Sequence, residues 1–319
     1  LTRLIDSGVI ECEAPAATSV NGRPAQVYRR LSDRDWSAVI SVGYSQCAGQ
    51  LRNSVGAKVA SFSAPIASPK DVLKAIYGVG SQLAKIAGPH RVPYVLVGII
   101  GIVTPGGDIH SDGYRLLNDR AWMGELAGYF SAPTKVIVCN DAKVAAIWMD
   151  SYLRQQLSLD PSSIIALHCS EAVGLALVVG GHIWEGAHGA AGEISLSSTS
   201  EWQQVSAYLR AIEERQGLRQ YYKTVGNEPG AHREFIETLG ELLARPLSEL
   251  VDMFDPDALC ISGAIVDCGP EFKTRLTAEV QQRSRIAPEV YFAPAESQPI
   301  VGGLTALAQK LIDFDALAA

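Results

Sequence analysis

The chain has 319 residues, 47% of them hydrophobic and 19% charged, with a net charge of −7 at pH 7. That is enough apolar material for two globular bodies, and it excludes wholesale disorder. An acidic chain does not attract nucleic acid as a whole, so any DNA contact must come from a local basic element. No uncharged apolar run reaches the ~18–20 residues of a membrane helix.

Taken in chain order, residues 1–10 set Leu1, Leu4 and Ile5 on one helical face before Gly8. The next stretch, IECEAPAATSVNGRPAQVYRR, reads as two short strands around an Asn21–Gly22 turn, a β-hairpin. A helix followed by a hairpin is the back end of a winged helix, and residues 31–37 read as a linker. From Ala38 the pattern gives two or three strands with turns at Gly43 and Asn53–Gly56, then a helix over residues 70–87. YVLVGIIGIVT reads as one strand buried on both faces. A helix over 119–130, the buried strand KVIVCN and the helix DAKVAAIWMDSYLRQ follow. A second block repeats this grammar. SIIALHCS, AVGLALVVGG and HIWEGA are strands, residues 201–216 and 232–253 are helical, ALCISGAIV is a strand, and EFKTRLTAEVQQRS and GGLTALAQKLIDF are helices. A strand meander, helix, strand and helix appearing twice suggest two similar α/β lobes with a cleft between them.

The six cysteines, Cys12, Cys47, Cys139, Cys169, Cys260 and Cys268, include no CxxC pair. They read as buried free thiols in a reducing cytoplasm, with a disulfide framework as the alternative. The N-terminus lacks a basic-then-apolar signal. The chain starts at Leu1 in mid-pattern and reads as a piece of a longer protein.

Two segments carry candidate chemistry. Asn140 and Asp141 stand where a buried strand hands over to a helix, the usual ligand position of open α/β sheets. A carboxylate there can accept a hydroxyl proton and an amide can hold a neighbouring hydroxyl, or both residues simply cap the helix. In EGAHGAAGEISL, Gly186, Gly189 and Gly192 allow tight turns ahead of Glu193, which suits a polyol ligand or a plain solvated turn. His182 and His188 are isolated and read as structural. SVGYSQ, SEAVG and ISGAI follow strands but hold one glycine each, too few for a phosphate cradle.

Together these segments resemble the ROK family (repressor, open reading frame, kinase) of actin-like sugar kinases, over nearly the whole chain from about Ala38. CNDAKVAA resembles the family's ENDAN-type motif, GAHGAAGEISL its GAHGxAGEIGH motif, and LNDRAW its PNLxxW segment. VDMFDPDALCISGAI resembles the stretch that leads to the GGG adenosine loop. LIDSGVIECEAPAATSVNGRPAQVYRR is similar to the end of the winged helix-turn-helix of the family's regulators, the NagC/XylR-like branch. Residues 1–35 carry five Lys/Arg and five Asp/Glu, so this remnant grips DNA only with the missing helices and as a dimer.

The resemblance implies an α/β, actin-like (ribonuclease H-like), two-lobed sugar-kinase fold preceded by a winged-helix remnant. It implies boundaries at 1–35, 36–140 and 141–301, with a C-terminal helix over 302–317 packing on the first lobe. It assigns Asn140 and Glu193 to sugar binding, Asp141 to the position of the kinase base, and Asn118 to a further sugar contact. The departures point away from phosphoryl transfer. Ser41 replaces the acidic residue of the first phosphate loop. Ser170, Glu171 and Ala172 replace the GTG of the second, and Glu171 sets a negative charge where triphosphate oxygens would lie. The adenosine loop becomes Ser262, Gly263 and Ala264, the GEIGH histidine becomes Leu196, and the zinc cysteines are absent. Gln203 stands near the place of a later sugar-binding glutamate.

The expectation is therefore a cytoplasmic regulator, a repressor without kinase activity, cofactor or metal. Its partners are a sugar effector, operator DNA, and further copies of itself in a homodimer or homotetramer. The alternatives are an ATP-dependent ROK sugar kinase with divergent loops, and a regulator that has lost sugar binding.

Overall fold

The computed structural model describes residues 5, 10–13, 27–30, 35–131, 133–170, 172–194, 201–213 and 217–318. The expected N-terminal helix apart from Ile5, the Asn21–Gly22 turn, most of the linker, Glu171 and Leu196 lie outside the described residues.

β1 (Ile10–Glu13) and β2 (Val27–Arg30) pair antiparallel, Ile10 opposite Arg30 and Glu13 opposite Val27, as the hairpin reading requires. There follow β3 (Ser37–Val42), β4 (Gln46–Arg52), β5 (Lys58–Pro65), α1 (Val72–Ala87), β6 (Tyr94–Ile99), β7 (Ile102–Val103), β8 (Ile109–His110), α2 (Ala121–Ala127) and β9 (Lys135–Asn140). The chain continues through α3 (Asp141–Gln156), β10 (Ser163–Cys169), β11 (Val173–Val179), β12 (His182–Ile183), α4 (Glu201–Glu213), α5 (Leu218–Val225) and α6 (Pro229–Phe254). It ends with β13 (Ala258–Ser262), α7 (Gly269–Arg283), β14 (Glu289–Phe292) and α8 (Pro299–Ala318).

The chain divides into two compact units. The first takes Leu1–Gly98, Asp119–Val138 and Leu304–Ala319, and the second takes Ile99–Asn118 and Cys139–Gly303. In the first unit the sheet order is β5-β4-β3-β6-β9. Its meander turns as the sequence indicates: Asn53 accepts from Gly56 through its carbonyl (2.9 Å) and from Ala57 through its Oδ1 (2.9 Å). β6 is buried at every position, and α1 buries Val72, Ala75, Ile76, Val79 and Leu83 at helical spacing.

In the second unit the sheet order is β12-β11-β10-β13-β14. β10 pairs antiparallel with β11 and parallel with β13, which pairs parallel with β14. Both sheets thus place their third, second, first, fourth and fifth strands side by side, the duplication seen in the sequence. The second core holds Leu167, Leu259, Ile261, Leu239, Leu243 and Phe272, all fully buried.

Three readings need correction. YVLVGIIGIVT is not one strand: it breaks at Ile100–Gly101, and β7 turns away to pair with β8. Gly101 has φ of +139°, outside strand geometry. The strand in HIWEGA shrinks to His182–Ile183, leaving Trp184 59% exposed. α5 and β14 went unpredicted, being short and weakly patterned. No helix among the described residues is long and apolar enough to cross a membrane.

Candidate functional site

The site is built where β9 ends and α3 begins. Asn140 is in extended conformation and caps the helix, its Oδ1 accepting from the Lys143 N–H at 2.9 Å. Its Nδ2 donates to the Gly101 carbonyl at 3.0 Å and to Glu193 Oε1 at 3.1 Å. Capping, one of the two roles the sequence offered for Asn140, is thus observed, and the same side chain also bonds to Glu193. Asn140 is buried, with both amide hydrogens committed.

Asp141 follows as the first residue of α3, its Oδ1 accepting from the Ala142 N–H at 2.7 Å. Burial pushes its carboxyl up to about 7, the charge of Glu193 pushes the same way, and the Ala142 bond works against both. Glu193 is also raised by burial, with the Lys143 charge opposing. Two neighbouring carboxyls thus differ in environment: one has a nearby cation and the other a helix-start N–H. An Asp with a pKa near neutrality can take a proton from a hydroxyl, and Glu193 retains acceptor capacity beyond its bond to Asn140.

Glu193 is delivered by the glycine loop after β12. Gly192 sits at φ +87°, and a Cβ there would run into the Leu175 carbonyl oxygen of β11. The loop is closed on itself by the Ala191 N–H donating to the Glu185 carbonyl at 3.2 Å.

Asn118 lies exposed at the end of the 3-10 turn Arg115–Asn118, and its Oδ1 accepts from the Ser111 N–H at 2.9 Å. Ser111 Oγ donates to the Ile100 carbonyl at 2.8 Å, next to the Gly101 carbonyl held by Asn140. Asn140, Asp141 and Glu193 come together, and Asn118 joins them only through this turn. Gln203 is exposed on α4, and His182 and His188 are exposed.

Sequence reasoning missed Lys143. It is only 5% exposed, and its Nζ donates to the Gly189 carbonyl at 2.6 Å and to Glu185 Oε2 at 3.1 Å. A cation in the first turn of a helix opposes the macrodipole, and that was the available signal.

The loops compared with phosphate and adenosine loops are short and internally bonded. Gly43 N–H donates to the Gln46 carbonyl at 2.9 Å across the β3–β4 turn, beyond Ser41. Ser170 N–H donates to the Ala172 carbonyl at 3.0 Å. Ser170 Oγ accepts from the Ala264 N–H at 2.9 Å, so the second and third loops are fastened to one another. Behind them His168 Nδ1 lies 3.0 Å from Ser262 Oγ, and burial holds the ring down at about 4, neutral at pH 7. No group of three or more His, Cys, Asp or Glu among the described residues is placed to hold a metal.

No protein-family model matches the sequence. Solved structures do match. A ROK family transcriptional regulator described as a homolog of the E. coli MLC protein is 17% identical, with a TM-score of 0.69 over 100% of this chain and 90% of that one. ROK hexokinase from Thermus thermophilus is 18% identical, with a TM-score of 0.63 over 88% of this chain and 99% of that one. A ROK family glucokinase from Streptomyces griseus, solved with glucose and AMPPNP, is 15% identical, with a TM-score of 0.64 over 86% and 99%. These structural neighbours are ROK family proteins, and the chain shares their mixed α/β, actin-like sugar-kinase fold.

Proposed function

We propose that this chain is a sugar-responsive transcriptional regulator of the ROK type, a repressor that binds a sugar or sugar derivative without phosphorylating it. The observation that carries this reading is the match to a ROK transcriptional regulator along the entire chain, which takes in the β1–β2 hairpin. The hairpin is then the wing of a winged helix-turn-helix, residues 1–35 are its back end and linker, and operator DNA is the partner of the complete module in a homodimer or homotetramer. Asp141 and Glu193 hold the sugar together with Asn140, which has acceptor capacity left on its Oδ1, and Asn118 stands at the margin. A ligand of this kind acts by preferring one of two conformers that differ in DNA affinity.

The absence of phosphoryl transfer is supported by the Ser170–Ala264 bond. Phosphoryl transfer depends on positioned phosphates, and the N–H at the start of the 3-10 turn Ala264–Asp267 already has a protein acceptor. One observation favours the kinase reading instead: Asp141 stands at about 7, where a general base operates.

Thermal shift separates the two. Aldohexoses and N-acetylhexosamines are titrated against the protein, each with and without Mg-ATP. Under the regulator reading a sugar raises Tm, Mg-ATP adds nothing, and the same sugar lowers the affinity of the complete protein for its DNA. A Tm rise that requires nucleotide supports the kinase reading. No rise with any sugar supports a regulator that has lost sugar binding.

A further inference from the structure

Lys143 has no role in the reading above, yet it is among the few buried charged side chains of the described residues. Burying an ammonium is expensive unless its donors are satisfied. Here the satisfying groups both belong to the glycine loop: the Gly189 carbonyl, itself on a buried residue, and the Glu185 carboxylate, whose side chain is 54% exposed. The ammonium therefore reaches from the first turn of α3 and fastens that helix to the loop four residues ahead of Glu193. The Asn140–Glu193 bond closes the same circuit from the other side. Helix and loop are thus joined twice, by the Asn140 amide on the Glu193 carboxyl and by the Lys143 ammonium on Glu185 and the Gly189 carbonyl.

We infer that Lys143 is a positioning residue for ligand binding: its ammonium fixes the glycine loop on α3 and sets a positive charge near Glu193, so that the Glu193 carboxyl is held at a fixed place for the ligand. This rests on the reading of Asn140, Asp141 and Glu193 as the ligand site. Among the described residues the charged groups that act on Glu193 are Asp141 and Lys143 on α3, and Glu185, on the same loop as Glu193, is paired with Lys143. Asn140 and the backbone of the Gly101 turn contribute neutral dipoles only. Of these groups Lys143 alone is cationic, and its charge opposes the burial that raises Glu193. Two opposite perturbations follow. Removing the cation raises the Glu193 titration midpoint. Removing Glu185 frees the lysine's field and lowers it.

The test is a carbon-13 titration of the Glu193 carboxyl, assigned with Glu193→Gln, in wild type, Lys143→Met, Lys143→Arg and Glu185→Gln. It is paired with calorimetry using glucose and N-acetylglucosamine. The expected result is a midpoint shifted up in Lys143→Met, down in Glu185→Gln and restored toward wild type in Lys143→Arg, with sugar affinity about tenfold weaker in Lys143→Met. If Lys143→Met fails to fold, Glu185→Gln decides, since that side chain is half-exposed. A Glu193 midpoint that moves in neither variant overturns the inference. Midpoints that move as expected while wild type binds neither sugar count against the sugar reading and leave the hold of Lys143 on Glu193 standing.

Discussion

Asn140 makes three bonds with one side chain: a cap on α3, a tie to the Gly101 turn, and a tie to Glu193. Asn140→Ala loses all three and is expected to destabilise the fold by about 2 kcal/mol, about half from the cap and the rest from the unmatched Gly101 carbonyl. Asn140→Asp keeps the cap acceptor but loses the donor and sets a carboxylate against Glu193. It should fold nearly as wild type does and bind sugar poorly, and denaturant melts with calorimetry separate the two variants. Asp141 makes a pH prediction. Its folded pKa, about 7, lies above its unfolded value, so its protonated form is the one that favours the fold. The stabilisation is full below the unfolded carboxylate pKa of about 4 and is lost as pH rises through about 7. Asp141→Asn should therefore raise Tm at pH 8 more than at pH 5. Equal shifts at the two pH values would contradict the assignment.

At the scale of elements, the site depends on how α3 is held. α8 meets α3 through Gly303, whose missing side chain lets it lie against the Val144 carbonyl. Gly303→Ala would put a methyl group into that carbonyl and is expected to destabilise by about 2 kcal/mol or more. Gly192→Ala should act similarly and also weaken sugar binding, because it displaces the segment that carries Glu193. Equilibrium melts of both variants, with sugar titration of the second, check this. Elements whose period and punctuation agree were legible in the sequence. α1 shows its stripe at Val72, Ile76, Val79 and Leu83, and the β4–β5 turn shows its Asn53–Gly56 pair. α6 begins at Pro229, three residues before the expected start at 232, because proline's fixed φ suits the first turn of a helix. α5 has only Leu218 and Val225 buried, which leaves too faint a pattern to read. The break after β6 was invisible because its cause is tertiary: the Ile100 and Gly101 carbonyls are claimed by Ser111 and Asn140. That Asn140 and Glu193 belong to one site was implied by the family resemblance alone, and the clasp by Lys143 was not legible at all, since it depends on which way a long side chain turns.

For the whole molecule, the two sheets repeat one strand order, and the duplication was visible in the sequence as two rounds of meander, helix, strand, helix. That repetition gives the fold and leaves the activity open, because regulators and kinases share it. Under the proposed reading the activity is set at the loops, where Asn140 is bonded to Glu193 and the Ser170 and Ala264 turns are bonded to each other. The most direct test is single-turnover incubation of the purified protein with Mg-ATP and each hexose or N-acetylhexosamine that raises its Tm, following ADP and sugar phosphate. The account predicts a bound sugar and no product above the no-enzyme control. Stoichiometric sugar phosphate, abolished by Asp141→Asn, would contradict it.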